Sequence, residues 1–230
     1  MAIAYEGGAA SAYSALSDHT EITFTTTSPG GSVYFVAVGF GPGDAVEVTL
    51  IDADGETALF TRVASLGTGM DCQVELWQYH DPNGLLEGLS FPMTPYLDGP
   101  GWIAAVAIQL SGMKKSSYAV EDSDTGTGTS TAPTVTSIGA TANNWAVLAA
   151  AHNQVNSAIV GNNGTRRQEV HGASGGVAIL TLGPNSAGSV SPSFNAVAIT
   201  KKWVAASAIV PAQAASGPFR GSLKMLGVGR

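Results

Sequence analysis

Hydrophobic and polar residues alternate with a period of two along most of this chain, the pattern of β-strands with one face in a core. Between residues 46 and 52, for example, Val46, Val48 and Leu50 alternate with Glu47 and Thr49. Alternation or a short apolar run predicts strands over residues 21–27, 33–40, 46–52, 57–64, 74–79, 87–93, 102–110, 145–151, 165–170, 177–182, 190–196 and 203–210. Only residues 9–16 suggest a helix, and a short one.

Turn residues separate these strands. Asp54-Gly55 and Asn163-Gly164 are typical of tight two-residue turns, and the first predicts that residues 57–64 pair back on the strand before them. Roughly a dozen short strands joined by such turns predict an all-β, antiparallel sandwich or a closed barrel, of which we favour the sandwich. The strands at 33–40 and 145–151 are apolar on both faces, so we expect each to be covered twice, by the second sheet and by a loop, a short helix or another subunit.

Two segments interrupt the strand pattern. Residues 116–141 are rich in Ser, Thr and Gly. We interpret them as a long surface loop within one sandwich domain, residues 1–211; the alternative is a linker between two domains. Residues 212–230 are polar and glycine-rich with three basic side chains, which predicts an extended C-terminal arm.

Composition narrows the class of protein. The 230 residues are 44% hydrophobic and 12% charged, and the charged share is about half that of an ordinary soluble protein. A single cysteine, Cys72, excludes an internal disulfide scaffold. The first residues, MAIAYEGG, lack the regions of an export signal, and the longest apolar run, 102–110, is half a membrane span, so we expect neither a signal peptide nor a membrane partner.

Charge is unevenly distributed along the chain. The net charge of −7 argues against a nucleic-acid partner. Residues 1–113 contain 13 acidic side chains and one basic one, Arg62, whereas residues 170–230 contain five basic side chains and no acidic one. This asymmetry predicts that one end of the chain meets a surface of opposite sign, for instance the acidic part of a neighbouring copy.

Two glycine-rich motifs resemble catalytic or phosphate-binding loops. Residues 172–176, GASGG, fit the G-x-S-x-G pattern of a nucleophilic serine, but that chemistry needs a strand-to-helix turn and a strand follows here. We therefore predict a glycine-rich hairpin, with His171 at a strand end. Residues 39–43, GFGPG, lack a following helix and predict a turn.

Metal and acid–base sites are also weakly supported. Residues 52–56, DADGE, and the pair Asp122 and Asp124 offer two carboxylates each, whereas a hard cation needs about six to eight oxygens. The four histidines lie far apart, without the paired spacing of a zinc site: His19, His80, His152 and His171. Three glutamates are expected to point outward to solvent: Glu47, Glu75 and Glu87. We therefore predict no catalytic residue, no metal and no cofactor, and no enzymatic activity.

The aromatic side chains give a different signal. Trp102, Trp145 and Trp203 are in phase with inward residues, which predicts core positions. Trp77 and Tyr79 share a face with Glu75. They could form a sugar-stacking platform, an interface hot spot or the second buried face of a central strand.

Several segments together resemble tailed-phage virion proteins. They are VEVTLIDADGETALFTRVAS, VELWQYHDPNGLLEGLSFPMT, WIAAVAIQLSGM, the Ser/Thr-rich stretch with Asp122, and NWAVLAAA. In that family a hairpin around Asp-Gly precedes a V-E-x-W strand and a strand ending in Ser-Gly. The later segments GGVAILTLG and KKWVAASAIVPA look like the returning strands of a concanavalin-like jelly roll.

The resemblance implies a structural protein located in the virion and assembled in the host cytoplasm, most simply an auxiliary or decoration protein of the capsid. Its implied partners are copies of itself and other capsid or tail proteins. The residues expected to dock on a neighbour lie in the arm, with two aromatics as second choice: Phe219, Arg220, Lys224, Met225, Leu226, Arg230, Trp77 and Tyr79. The alternative is a tail- or fibre-associated carbohydrate-binding module that contacts host glycans.

Overall fold

A computed structural model of the chain describes residues 2–26, 32–41, 45–51, 57–66, 72–81, 86, 90–113, 120, 122–135, 138–153, 159–196 and 202–213. These residues form eighteen β-strands and no helix. In order, the strands are β1 (Ala4–Ala10), β2 (Ser14–His19), β3 (Ile22–Thr25), β4 (Ser32–Phe40), β5 (Ala45–Ile51), β6 (Thr57–Leu59), β7 (Thr61–Leu66), β8 (Gln73–Asp81), β9 (Ser90–Ser111), β10 (Asp122–Gly128), β11 (Ile138–Ala140), β12 (Trp145–His152), β13 (Ile159–Asn163), β14 (Thr165–His171), β15 (Gly176–Leu182), β16 (Gly188–Val190), β17 (Ser193–Ala196) and β18 (Trp203–Val210).

Strand β9 is the spine of the first sheet. It is 22 residues long, and the sheet runs in the order β6-β5-β9-β4-β8-β7. Strands β1, β2 and β3 pair with one edge of β9, and β4 and β5 pair with its other edge. Ala107, for example, pairs with Ala9 of β1 on one side and with Val36 of β4 on the other. Strand β9 therefore pairs directly with five strands of the first sheet, β1, β2, β3, β4 and β5.

The second sheet comes from the second half of the chain, in the order β10-β18-β12-β15-β14, and every pairing within it is antiparallel. The two sheets pack face to face, so the predicted all-β antiparallel sandwich is confirmed. The jelly-roll connectivity is not confirmed, because each sheet is built from one half of the chain.

The main core lies between the two sheets. Phe35 and Val106 of the first sheet and Val147 and Ala206 of the second belong to one cluster and are fully buried. Each large apolar side chain buried in this way contributes about 1.5–3 kcal/mol. The sheets approach each other closely at Gly39, where an added Cβ would lie 2.8 Å from the Cβ of Val177.

The outer faces of both sheets are also buried, by strands of this same chain. Phe24 of β3 and Phe91 of β9 pack on Tyr34, on the outer face of the first sheet. Ile159 of β13 and Phe194 of β17 belong to the cluster on the outer face of the second sheet. Both faces of the apolar strands are covered as expected, but the outer cover consists of further strands of this chain instead of a loop, a short helix or another subunit.

Several predicted elements were wrong in detail. Residues 9–16 form parts of β1 and β2 instead of a helix, because both strands pair along the edge of β9. The segment 116–141 is not simply a loop: β10 lies within it and pairs with β18 as an edge strand, where polar residues are ordinary. Segments 87–93 and 102–110 contribute to one strand, β9, and segment 57–64 is divided between β6 and β7.

Candidate functional site

The G-x-S-x-G motif forms the tight turn between β14 and β15. The amide of Gly172 donates to the carbonyl of Gly175 at 2.8 Å, and Ser174 is exposed. The backbone N–H of Ser174 donates to the phenolic oxygen of Tyr13 at 2.9 Å. The predicted hairpin is therefore confirmed, and the described neighbour of Ser174 is a tyrosine that fastens the turn to the first sheet.

The glycines of this turn are explained by aromatic packing. An added Cβ at Gly172 would lie 2.3 Å from the ring of Tyr13, and one at Gly175 would lie 2.8 Å from the indole of Trp102. Tyr13 and Trp102 stack with their ring centroids 6.4 Å apart. The motif therefore meets a steric requirement between the two sheets.

Glu75 is buried, which corrects the expectation that it points to solvent. It is 5% exposed on the outer face of the first sheet. Arg62 donates to Glu75 Oε1 at 3.0 Å, and Trp77 Nε1 donates to Glu75 Oε2 at 2.9 Å. Trp77 is only 6% exposed, and the ring of Tyr79 lies 5.5 Å from that of Phe60. The two aromatics therefore belong to the second buried face of a central strand.

A buried polar cluster lies near one end of the same outer face. Gln109 Nε2 donates to Ser32 Oγ at 3.0 Å and lies 3.4 Å from the hydroxyl of Tyr34. Burial raises the pKa of Tyr34 well above its usual value, and the nearby Asp81 and Tyr79 add to this shift. Asp81 is itself buried and accepts a hydrogen bond from the amide of Leu86. These contacts hold a neutral phenol in the interior.

A shallow open cleft of about 650 Å³ lies on the outer side of the second sheet. Its lining consists of one carboxylate and small residues: Asp122, Gly139, Ala140, Thr141, Gly188 and Ser189. The amides of Gly139 and Ser123 each donate to the carboxylate of Asp122 at 2.9 Å. The cleft therefore presents a fixed acceptor that could bind hydroxyl groups.

The candidate metal residues do not converge within the part of the chain that the structure describes, where no group of three His, Cys, Asp or Glu is found. His19 lies 2.7 Å from Asp18 on the surface, and this hydrogen bond lowers the pKa of Asp18. His171 lies at a strand end, 3.5 Å from Glu169. The segment 52–56 lies outside the described residues.

The predicted docking arm lies almost wholly outside the described residues, including all six of its candidates: Phe219, Arg220, Lys224, Met225, Leu226 and Arg230. The described chain ends at Ala212 and Gln213. The amide of Ala212 donates to Asn144 at 3.0 Å, and that of Gln213 donates to the carbonyl of Gly112 at 3.1 Å. The arm therefore starts where the two sheets meet.

Arg167 is a candidate binding residue that the sequence analysis did not identify. Its guanidinium lies 4.3 Å from the ring centroid of Tyr5 in the first sheet and 5.9 Å from that of Trp145 in the second. Its Nε donates to the hydroxyl of Thr181 at 2.7 Å. Burial lowers the pKa of Arg167, and Tyr5 partly offsets this shift. No sequence signal distinguishes this arginine from its neighbour Arg166, because both lie on a polar edge strand.

Comparison of the chain with protein-family models, with curated proteins and with solved structures finds no match. Within the described ranges, no helix is long and apolar enough to cross a lipid bilayer.

Proposed function

We propose that this chain is a non-enzymatic structural protein of a tailed-phage virion, an auxiliary or decoration protein of the capsid that docks on neighbouring subunits. The observation that carries the proposal is the separation of charge between the folded body and the arm. Residues 214–230 contain Arg220, Lys224 and Arg230 and no acidic side chain. They follow directly on Gln213, where the described chain ends.

The folded body offers exposed carboxylates to such an arm. Those on the described surface are Asp18, Glu21, Asp98, Asp122 and Asp124. Opposite charges on two surfaces steer their encounter and fix their register, more than they add affinity. Because the outer faces of both sheets are covered by this chain, docking is assigned to the arm and the acidic surface, and not to bare sheet faces.

The test compares the full chain with a chain that ends at Gln213 and with the triple variant Arg220→Gln, Lys224→Gln, Arg230→Gln. We expect both altered proteins to fold normally, to associate less in light scattering and to enter particles poorly. Association of the full chain should weaken as salt is added, because exposed charges are screened. Normal incorporation of both altered proteins into particles would contradict the proposal.

The cleft at Asp122 supports a second candidate function, binding of a host glycan by a tail- or fibre-associated module. A fixed carboxylate beside backbone amides and small residues suits the hydroxyls of a sugar, whereas the buried Trp77 offers no stacking platform. On a glycan array, Asp122→Ala should lose binding while Asp18→Ala, a surface carboxylate elsewhere, retains it. Equal binding by the two variants would exclude this cleft as the glycan site.

A further inference from the structure

A β-bulge directs Arg167 out of the regular pairing of its strand. In the register of β14 with β15, Arg166 pairs with Leu180 and Gln168 pairs with Ile179, so that Arg167 has no partner residue. Bulges of this kind re-aim a single side chain and are common next to functional sites. Here the bulge places the guanidinium at the edge of the sandwich, against Tyr5 of the first sheet.

The guanidinium is fixed by contacts that leave most of its donors unused. The hydrogen bond to Thr181 uses Nε, and the two aromatic contacts involve ring faces. A guanidinium has five N–H donors, four of them on the Nη atoms. Within the described residues, neither Nη atom of Arg167 makes a hydrogen bond.

Arg167 also differs from the other arginines of the described structure. Arg62 pairs with Glu75, and Arg166 pairs with Glu169. Arg167 contacts no carboxylate among the described residues, although its charge is partly withdrawn from water. A partly desolvated cation without a counter-ion is unfavourable, so binding an anion there restores the lost stabilisation.

We propose that Arg167, framed by Tyr5 and Trp145, is a binding site for a carboxylate group. A carboxylate matches the fork of an arginine with two parallel hydrogen bonds, and a guanidinium that is already oriented loses little entropy on binding. The carboxylate belongs either to an acidic side chain of a second copy of this chain or to a small free acid, since both present the same chemistry. The inference does not rest on the proposed virion function.

The test uses sodium acetate as the probe and sodium chloride at equal ionic strength as the control. In labelled protein, the Nε–H resonance of Arg167 and the indole N–H resonance of Trp145 should shift saturably with acetate and not with chloride. Arg167→Lys keeps the charge but lacks the fork, so its acetate affinity, read at Trp145, should fall by about tenfold, the equivalent of one lost charge-assisted hydrogen bond. Lys202→Gln, which removes an exposed charge elsewhere, should bind acetate as the parent does.

Equal shifts with acetate and chloride, or unchanged acetate binding by Arg167→Lys, would overturn the proposal. When acetate binds, sedimentation at rising protein concentration identifies the source of the carboxylate. Association that acetate competes away and Arg167→Lys abolishes assigns the carboxylate to a second copy of the chain. Acetate binding by a protein of constant size assigns it to a free acid.

Discussion

The phenolic oxygen of Tyr13 accepts a hydrogen bond from the amide of Ser174 at 2.9 Å, and this contact joins the two sheets of the sandwich. Tyr13 lies between β1 and β2 of the first sheet, and Ser174 lies in the β14–β15 turn of the second. Nearby, an added Cβ at Gly8 of β1 would lie 2.7 Å from the side chain of Gln168 on β14. The edge of the first sheet at β1 therefore lies against the edge of the second sheet at β14. We call this contact, which includes Gly8, Tyr13, Gln168 and Ser174, the seam.

The seam predicts a steric coupling between Gly172 and Tyr13. In Gly172→Ala, the new methyl group would lie 2.3 Å from the tyrosine ring, so unfolding in urea should show a loss of about 1–3 kcal/mol. Tyr13→Ala removes the ring that the new methyl group would meet. The double variant should therefore lose less stability than the sum of the losses in the two single variants. Strict additivity of the two substitutions would contradict the contact.

Ser174→Ala provides the matched control. The substitution removes the hydroxyl but keeps the backbone N–H that binds Tyr13, so stability should change by no more than about 0.5 kcal/mol. A larger loss, or loss of an activity that the parent protein displays, would give the hydroxyl a role that the turn geometry does not require.

The close approach of the two sheets at Gly39 predicts that a larger side chain at this position destabilises the protein. In Gly39→Ala the new methyl would lie 2.8 Å from the Cβ of Val177 and 3.1 Å from that of Ala151, both in the facing sheet. The free energy of unfolding should fall by about 1–3 kcal/mol. Gly99→Ala on β9 is the control: an added Cβ there meets nothing within 4 Å, so its effect should stay within about 0.5 kcal/mol. Similar losses in both variants would show that the two sheets do not approach each other closely at Gly39.

Because the phenol of Tyr34 is buried, we expect the folded protein to lose stability at alkaline pH. Its folded-state pKa is raised by burial, so its contribution is complete below the unfolded pKa of about 10 and is lost as pH rises above that value. Above this pH the unfolded chain releases a proton that the folded protein retains, which lowers stability by up to about 1.4 kcal/mol per pH unit. In Tyr34→Phe, the free energy of unfolding should therefore fall less steeply between about pH 10 and pH 11.5. Urea unfolding at a series of pH values measures this dependence.

The control for this experiment is Tyr96→Phe, since Tyr96 is 38% exposed. In this variant, the free energy of unfolding should fall with rising pH as steeply as in the parent protein. A Tyr34→Phe profile that runs parallel to the parent would show that burial of this phenol is not coupled to folding.

We expect Glu75→Leu and Glu75→Gln to destabilise the folded protein by different amounts. Glu75→Leu leaves the buried indole N–H of Trp77 without its carboxylate acceptor, which should cost about 1–3 kcal/mol. Glu75→Gln keeps an acceptor oxygen, so its cost should be smaller, because the lost partner Arg62 is half-exposed and can be hydrated. Thermal unfolding of the two variants checks this order, and equal losses would show that the indole hydrogen bond contributes little.

The positions of single strands are readable from the sequence because alternation, or a short apolar run between turn residues, is a local signal that does not depend on what the strand pairs with. Strands β4, β8, β12, β15 and β18 lie where the pattern predicts them. The glycine-rich turn at 172–176 was predicted for the same local reason. Segment 9–16 was misassigned because its small residues carry no periodic signal, and only pairing with β9 makes them extended.

By itself, the sequence determined the all-β class and the separation of acidic and basic charge, since each depends on local pattern or composition. Tertiary structure decided which faces are covered and what each polar group meets. Glu75 has the spacing of an outward residue and is nonetheless buried, because the outer face of its sheet is covered by this chain. Arg167 meets Tyr5 across 162 positions of sequence, and only the approach of two sheet edges brings them together.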